Sequence, residues 1–175
     1  YTQDGAICLP LGTITVEEKA APNGYLLDGA YMQANGNSEK ITGVYVAQIT
    51  EDGELAKLSG YNQYSVSDKV IRGGVKIQKR DLETKETKPQ GGAALKDTAF
   101  EITSLNDKAV LVDGKLYNKN EVVKTIHTGV DGIATTAADT LPYGHYRIDE
   151  VTPPEGYLKD GAVSREFDIV NNGEI

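Results

Sequence analysis

The segment "LPYGHYRIDEVTPPEGYLKDG", residues 141–161, begins as an alternating strand and ends in a proline-glycine turn. Side chains alternate along a strand, so Tyr146, Ile148 and Glu150 share one face while His145, Arg147 and Asp149 share the other. A face built from tyrosine and isoleucine belongs to a core, and parity carries Glu150 into it. The fold therefore has to account for a carboxylate aimed at its own interior.

The same segment occurs twice. "LPLGTITVEEKAAPNGYLLDG" (9–29) lies over 141–161 without a gap at a shift of 132, with ten of twenty-one positions identical. Glu18 falls on Glu150 and likewise follows an alternating pair, Ile14 and Val16, with Thr13, Thr15 and Glu17 opposite. A second match, "QITEDGEL" (48–55) over "DIVNNGEI" (168–175), has a shift of 120, so the first copy carries twelve more residues between these landmarks. The extra length falls in "AYMQANGNSEKITGVY" (30–45), a polar loop or hairpin. Asp52-Gly53 and Asn172-Gly173 are two-residue turn signals.

The copies are offset within the chain. The first runs on into "YNQYSVSDKVIRGG" (61–74), and the second opens with "VKIQKRDLETKETKPQGGAALKDTAFEIT" (75–103), for which the first has no counterpart. The expected organisation is a tandem array: residues 1–72 form the C-terminal part of a first domain and 73–175 a second domain without its final strand, with Gly73-Gly74 at the junction. In the second, "VKIQKRD", "TAFEITSL", "AVLVDGKLY", "EVVKTIHT", "GIATTAA", "HYRIDEV" and "REFDIV" read as short strands at sandwich spacing, with turns at Asp113-Gly114 and Asp131-Gly132. "NKNEVVKT" (118–125) also fits a short helix.

Composition agrees with an all-β chain: ten tyrosines against two phenylalanines and no tryptophan, nineteen glycines, and many β-branched residues in 175. The net charge of −8 is spread along the chain, without a basic stripe, which argues against a nucleic-acid partner or an anionic membrane. No apolar run reaches the length of a membrane span, and "YTQDGAICLP" lacks the regions of a signal peptide. Cys8 reads as a small apolar filler, with a reactive thiol as the minority reading. His127 and His145 have no Ser, Cys or metal-ligand constellation beside them, so no cofactor, metal or enzymatic turnover is expected.

Two further ionisable groups fall on apolar faces. In "VKIQKRD", Val75, Ile77 and Lys79 alternate with Lys76, Gln78 and Arg80; in "YSVSDKV", Tyr64, Val66 and Asp68 alternate with Ser65, Ser67 and Lys69. An unpaired buried charge costs several kcal/mol, so such groups pair, change protonation state or react. Burial lowers a lysine pKa and raises a glutamate pKa. A neutral amine beside an acid or amide carbonyl, bridged by a protonated glutamic acid, is equipped to form a side-chain amide, with Glu18 or Glu150 relaying protons and the fold holding the reactants in contact. Lys79 snorkelling to solvent and Asp68 capping a turn are the bland readings.

The repeated G-x-x-x-x-x-E-x-x-x-P-x-G-Y frame resembles the E-box of Gram-positive pilins and collagen-adhesin B-type (CnaB) domains. "GGVKIQKRDLETK" is similar to the opening strand of such domains, with Lys79 at the bond-forming lysine, and "YSVSDKVIRG" to the closing strand, with Asp68 at the acceptor. The resemblance implies tandem inverse immunoglobulin-like sandwiches and Lys-Asn or Lys-Asp isopeptide bonds catalysed by Glu18 and Glu150. The family joins residues of one domain, whereas Asp68 belongs to the first domain and Lys79 to the second; Asn171 and Asn172 are the nearby alternatives for Lys79, although they align with turn residues. Incomplete sandwiches leave open edges that invite strand complementation between copies.

The function expected is a structural stalk module of an extracellular, cell-wall-anchored adhesin or pilus-like protein, its partners being neighbouring repeats. The alternatives are an adhesin region for a host matrix protein or glycan, with 30–45 as the place to look, and an accessory transthyretin-like domain of a secreted enzyme. "LPLGT" is a near miss for a sorting signal, and no pilin motif of the Y-P-K type is present.

Overall fold

The computed structural model describes residues 2–3, 6–27, 32–34, 37–39, 44–53, 57–58, 68–159 and 164–175. The fold is all-β, with no α-helix among the described residues. The chain divides into two units, Tyr1–Val70 and Ile71–Ile175, each with its own strand pairings.

The strands of the first unit are β1 (Thr2–Gln3), β2 (Ala6–Ile7), β3 (Gly12–Glu17), β4 (Tyr25–Leu26), β5 (Met32–Ala34), β6 (Asn37–Glu39), β7 (Val44–Ile49), β8 (Lys57–Leu58) and β9 (Lys69–Val70). A three-stranded antiparallel sheet runs β3-β7-β8, and β4 pairs with β9. The extra length expected between 30 and 45 contains the β5–β6 hairpin.

The second unit comprises β10 (Arg72–Gly73), β11 (Lys76–Gln78), β12 (Ala99–Ser104), β13 (Val110–Val112), β14 (Lys115–Tyr117), β15 (Val122–His127), β16 (Ile133–Thr135), β17 (Leu141–Pro142), β18 (Gly144–Thr152) and β19 (Ser164–Ile169). A four-stranded antiparallel sheet runs β15-β12-β18-β19. Its inward face contributes Phe100, Ile102, Val123, Ile126, Tyr146 and Ile148 to one core. The pairs β10–β17 and β11–β16 and the hairpin β13–β14 contribute Ile77, Val110, Val112, Ala134 and Leu141 to the same core, joined by Val75 between β10 and β11. Apolar faces of sheets must be covered, and this arrangement covers both.

Of residues 118–125, the first four form a turn and the last four lie in strand β15, with no helix. The register of β15 against β12 skips Val123, between the pairs Ile102↔Lys124 and Thr103↔Val122. That bulge places Val123 and Ile126, three residues apart, both in the core, a spacing that a helix would also produce.

The sequence repeat is also a backbone repeat. Gly12 lies opposite Ile49 in the first unit, and Gly144 opposite Ile169 in the second, the same register at the same aligned positions. The Tyr25 amide donates to Pro22 at 3.0 Å and the Tyr157 amide to Pro154 at 3.1 Å. Between them Gly24 and Gly156 take φ of 85° and 84°, a left-handed turn that explains the fixed glycine of the P-x-G-Y frame. At the other landmark, the Gly173 amide donates to Arg72 and the Gly74 amide to Glu174, so the chain after the Asn172 turn lies along β10.

Candidate functional site: the Lys79–Glu150 pair

Parity along β18 does what alternation predicts. Tyr146, Ile148 and Glu150 are buried, while His145, Arg147 and Asp149 are more open. The strand is held at its entrance by Tyr146, whose hydroxyl donates to the Pro142 carbonyl at 2.8 Å and whose ring stacks on Phe167 at 5.8 Å between centroids. Burial pushes the Tyr146 phenol well above its ordinary pKa. Glu150 sits directly opposite the buried Phe100 of β12.

Lys79 follows the last residue of β11 and keeps its parity, its amide donating to the Gly132 carbonyl at 2.8 Å. Its Nζ lies 2.8 Å from both Glu150 Oε1 and Oε2. The Lys79 side chain is 17% exposed and that of Glu150 only 2%. A carboxylate so enclosed must be paired. The amine straddles both oxygens, so a proton passed from Nζ to the carboxylate would yield a neutral amine and a neutral acid without changing the charge of the site.

Two loops close over this end of the core. Asp81, buried, accepts from the Thr84 amide at 2.8 Å, the Glu83 amide at 3.0 Å, Gln90 Nε2 at 3.0 Å and the Tyr157 hydroxyl at 2.8 Å. These bonds, the Thr84 amide foremost, hold its carboxyl far below the usual carboxylate range against the opposing effect of burial. Burial and then the Asp81 bond raise the Tyr157 phenol. The Ala94 amide donates to Glu155 at 3.1 Å, a second tie between the loops. Asp81 and Tyr157 were not among the site residues expected from sequence. The signals were present, in the D-x-x-T turn of 81–84 and the fixed tyrosine of the repeated frame.

Beside the pair a cleft of about 630 Å³ is lined by Ile77, Lys79, Asp81, Phe100, Tyr157 and Leu158. Leu158 is 83% exposed, and no strand among the described residues pairs with Tyr157–Leu158.

The corresponding residues of the first unit present a different set of groups. Glu18 and Asp68 are both half-buried. Glu18 Oε2 and Asp68 Oδ1 are each buried without a hydrogen-bond partner among the described residues. The structure thus brings Lys79 together with Glu150, and places Asp68 and Glu18 in the other unit.

The remaining residues singled out by sequence lie elsewhere. Asn172 Oδ1 accepts from the Arg72 amide and Asn171 Nδ2 donates to Glu174, so both serve the turn beside β10. Cys8 is half-buried and His127 exposed. His145 lies on the outward face between Asp168 at 2.8 Å and Glu166 at 2.9 Å. No group of three His, Cys, Asp or Glu among the described residues is placed to hold a metal.

No curated protein matches the chain. Among solved structures it is similar to the Bacillus anthracis TIE protein, with 19% sequence identity and a TM-score of 0.43, over 99% of this chain and 43% of that one. The chain thus spans less than half the length of that protein. Residues 73–175, more than half of the chain, match the family model described as "SpaA: Prealbumin-like fold domain", a pilin and adhesin fold of Gram-positive surfaces, and the chain belongs to that family.

Proposed function

We propose that the chain is a stalk module of a Gram-positive surface adhesin or pilus-like protein, extracellular and anchored to the cell wall, in which each complete unit is closed by a Glu-catalysed isopeptide bond. The supporting observation is the Lys79 amine held at 2.8 Å from both oxygens of the buried Glu150. In the second unit Lys79 is the nucleophile and Glu150 the proton relay, with an Asn or Asp of a closing strand as acceptor. In the first, Asp68 is the acceptor and Glu18 the relay, with a lysine of an opening strand as nucleophile.

The proposed chemistry uses this pair. Glu150 takes a proton from Nζ, the amine attacks the carbonyl carbon, and the glutamic acid returns a proton as ammonia or water departs. Phe100 stands opposite Glu150 in the sheet and both are buried, which limits the access of water to the carboxylate. A bond closing a loop of about 100 residues would contribute on the order of 4–5 kcal/mol through chain entropy, by analogy with a disulfide. Pulling on the termini would then load a covalent link that reductants leave intact.

Intact mass of a protein carrying complete repeats tests the reading. Each bond removes about 17 Da (ammonia) or about 18 Da (water) by condensation. Glu150→Ala is expected to restore the full mass of the second unit; a deficit that persists in this variant removes the catalytic role.

A further inference from the structure

Strand β11 stops one residue short of the lysine of the pair. Its pairing with β16 runs Lys76↔Thr135, Ile77↔Ala134 and Gln78↔Ile133, and Lys79 lies beyond the last of these. Past the ladder, the direction of a side chain depends on what else holds its peptide groups. The Lys79 amide donates to the Gly132 carbonyl at 2.8 Å. Its carbonyl is held by the side chain of its own neighbour: Gln78 Nε2 donates to the Lys79 carbonyl at 3.1 Å and to the Asp131 carbonyl at 3.0 Å. Among the described residues no other group donates to either carbonyl. A carboxamide nitrogen carries two hydrogens, and both are used; turned the other way, its oxygen would meet only acceptors. The turn opposite leaves room for this bridge. Gly132 has φ of 70°, and a Cβ there would stand 3.0 Å from Gln78 Nε2 and 3.3 Å from the Lys79 carbonyl oxygen.

We propose that Gln78 is a positioning residue for the Lys79–Glu150 pair: its carboxamide fastens the peptide group after Lys79 to the 129–132 turn and so aims Nζ at both Glu150 oxygens. The consequence for bond formation rests on the isopeptide reading above, to which the inference adds a residue that never touches the reacting atoms. Gln78 sits on the face of β11 opposite to Ile77 and Lys79, half-buried at the wall of the cleft. A lysine side chain is long and rotamer-rich, and with 17% of it exposed its amine has solvent within reach. Holding the lysine backbone on both sides, through its amide to Gly132 and its carbonyl to Gln78, removes the rotations that would swing the amine outward. Such control matters for a nucleophile, because a misplacement of about 1 Å can cost on the order of 100-fold in rate.

The test is trace acetylation of the chain with acetic anhydride, with the reactivity of the Lys79 amine read by peptide mass mapping against the exposed Lys88 as internal reference. Gln78→Met, a side chain of the same length without donors, is expected to raise the acetylation of Lys79 about fivefold, the worth of one lost neutral hydrogen bond. In a Glu150→Gln background, where the amine has no carboxylate to be aimed at, the same substitution is expected to change nothing. Amide exchange along β11 and β16 is expected to stay as in the parent chain. Unchanged reactivity of Lys79 would overturn the inference. So would an equal rise in the Glu150→Gln background, or faster exchange along the two strands, since either would make Gln78 a support of the strand and not of the pair. Because the amine is read before any amide forms, each of these results leaves the isopeptide reading to the mass of intact repeats, and a full mass there leaves the positioning of the pair standing.

Discussion

At the scale of single residues the account rests on Lys79 and Glu150. Among the described residues Lys79 is the only donor to the Glu150 carboxylate. Replacing Lys79 with Met leaves a buried charge unpaired, and chemical denaturation is expected to show a loss of about 3 kcal/mol, the low end for a buried pair because Lys79 keeps some solvent contact. Lys79→Met combined with Glu150→Leu is expected to recover most of that loss; equal losses in single and double variants would mean that packing, and not charge pairing, dominates. His145 gives a second prediction. Hydrogen bonds to Asp168 and then Glu166 raise its pKa above 6.5. A raised folded value means that its contribution to stability is present below pH about 6.5 and is lost as pH rises through the folded value. Urea unfolding across that window is expected to show a decline that His145→Gln flattens, and an unchanged slope would count against the two bonds. Asn106 bonds the His145 backbone through both its side-chain atoms. Alternation alone made the direction of Glu150 readable, because Tyr146 and Ile148 fix the face. It did not reveal that Lys79 reaches both Glu150 oxygens across 71 residues, a distance that only the packing of β11 against the sheet sets.

At the scale of elements, the repeated turn and the 81–94 loop form one clamp. Gly156 has φ of 84°, and a Cβ there would stand 2.9 Å from the Ala93 Cβ. Gly156→Ala is expected to cost about 1–2 kcal/mol from the left-handed conformation alone, with faster hydrogen exchange at Tyr157 and Ala94. Exchange unchanged in both would show that the loops are held independently of the turn. The glycine-proline punctuation of this element was plain in the sequence. Its attachment to Asp81 was not, since a hydrogen bond from Tyr157 across 76 positions leaves no periodic trace. The bulge in β15 obscured another element, because Val123 and Ile126 present a helical spacing within a strand.

At the scale of the whole molecule, the repeat at shifts of 132 and 120 carried the organisation, and the matching registers of β3 with β7 and β18 with β19 show why it could: each repeated residue holds the same place in a pairing scheme. The second unit has its own core, from Phe100 to Ile169, and residues 71–175 alone are expected to unfold in a single cooperative transition with dispersed amide signals. Collapsed dispersion would show that this unit depends on the rest of the chain. The central claim, that Lys79 is a bond-forming residue, is tested most directly by tryptic mapping of a protein with complete repeats. The account predicts that trypsin fails to cut after Lys79 and that the peptide containing it emerges branched, joined to a closing-strand Asn or Asp. A linear peptide ending at an unmodified Lys79 would contradict it.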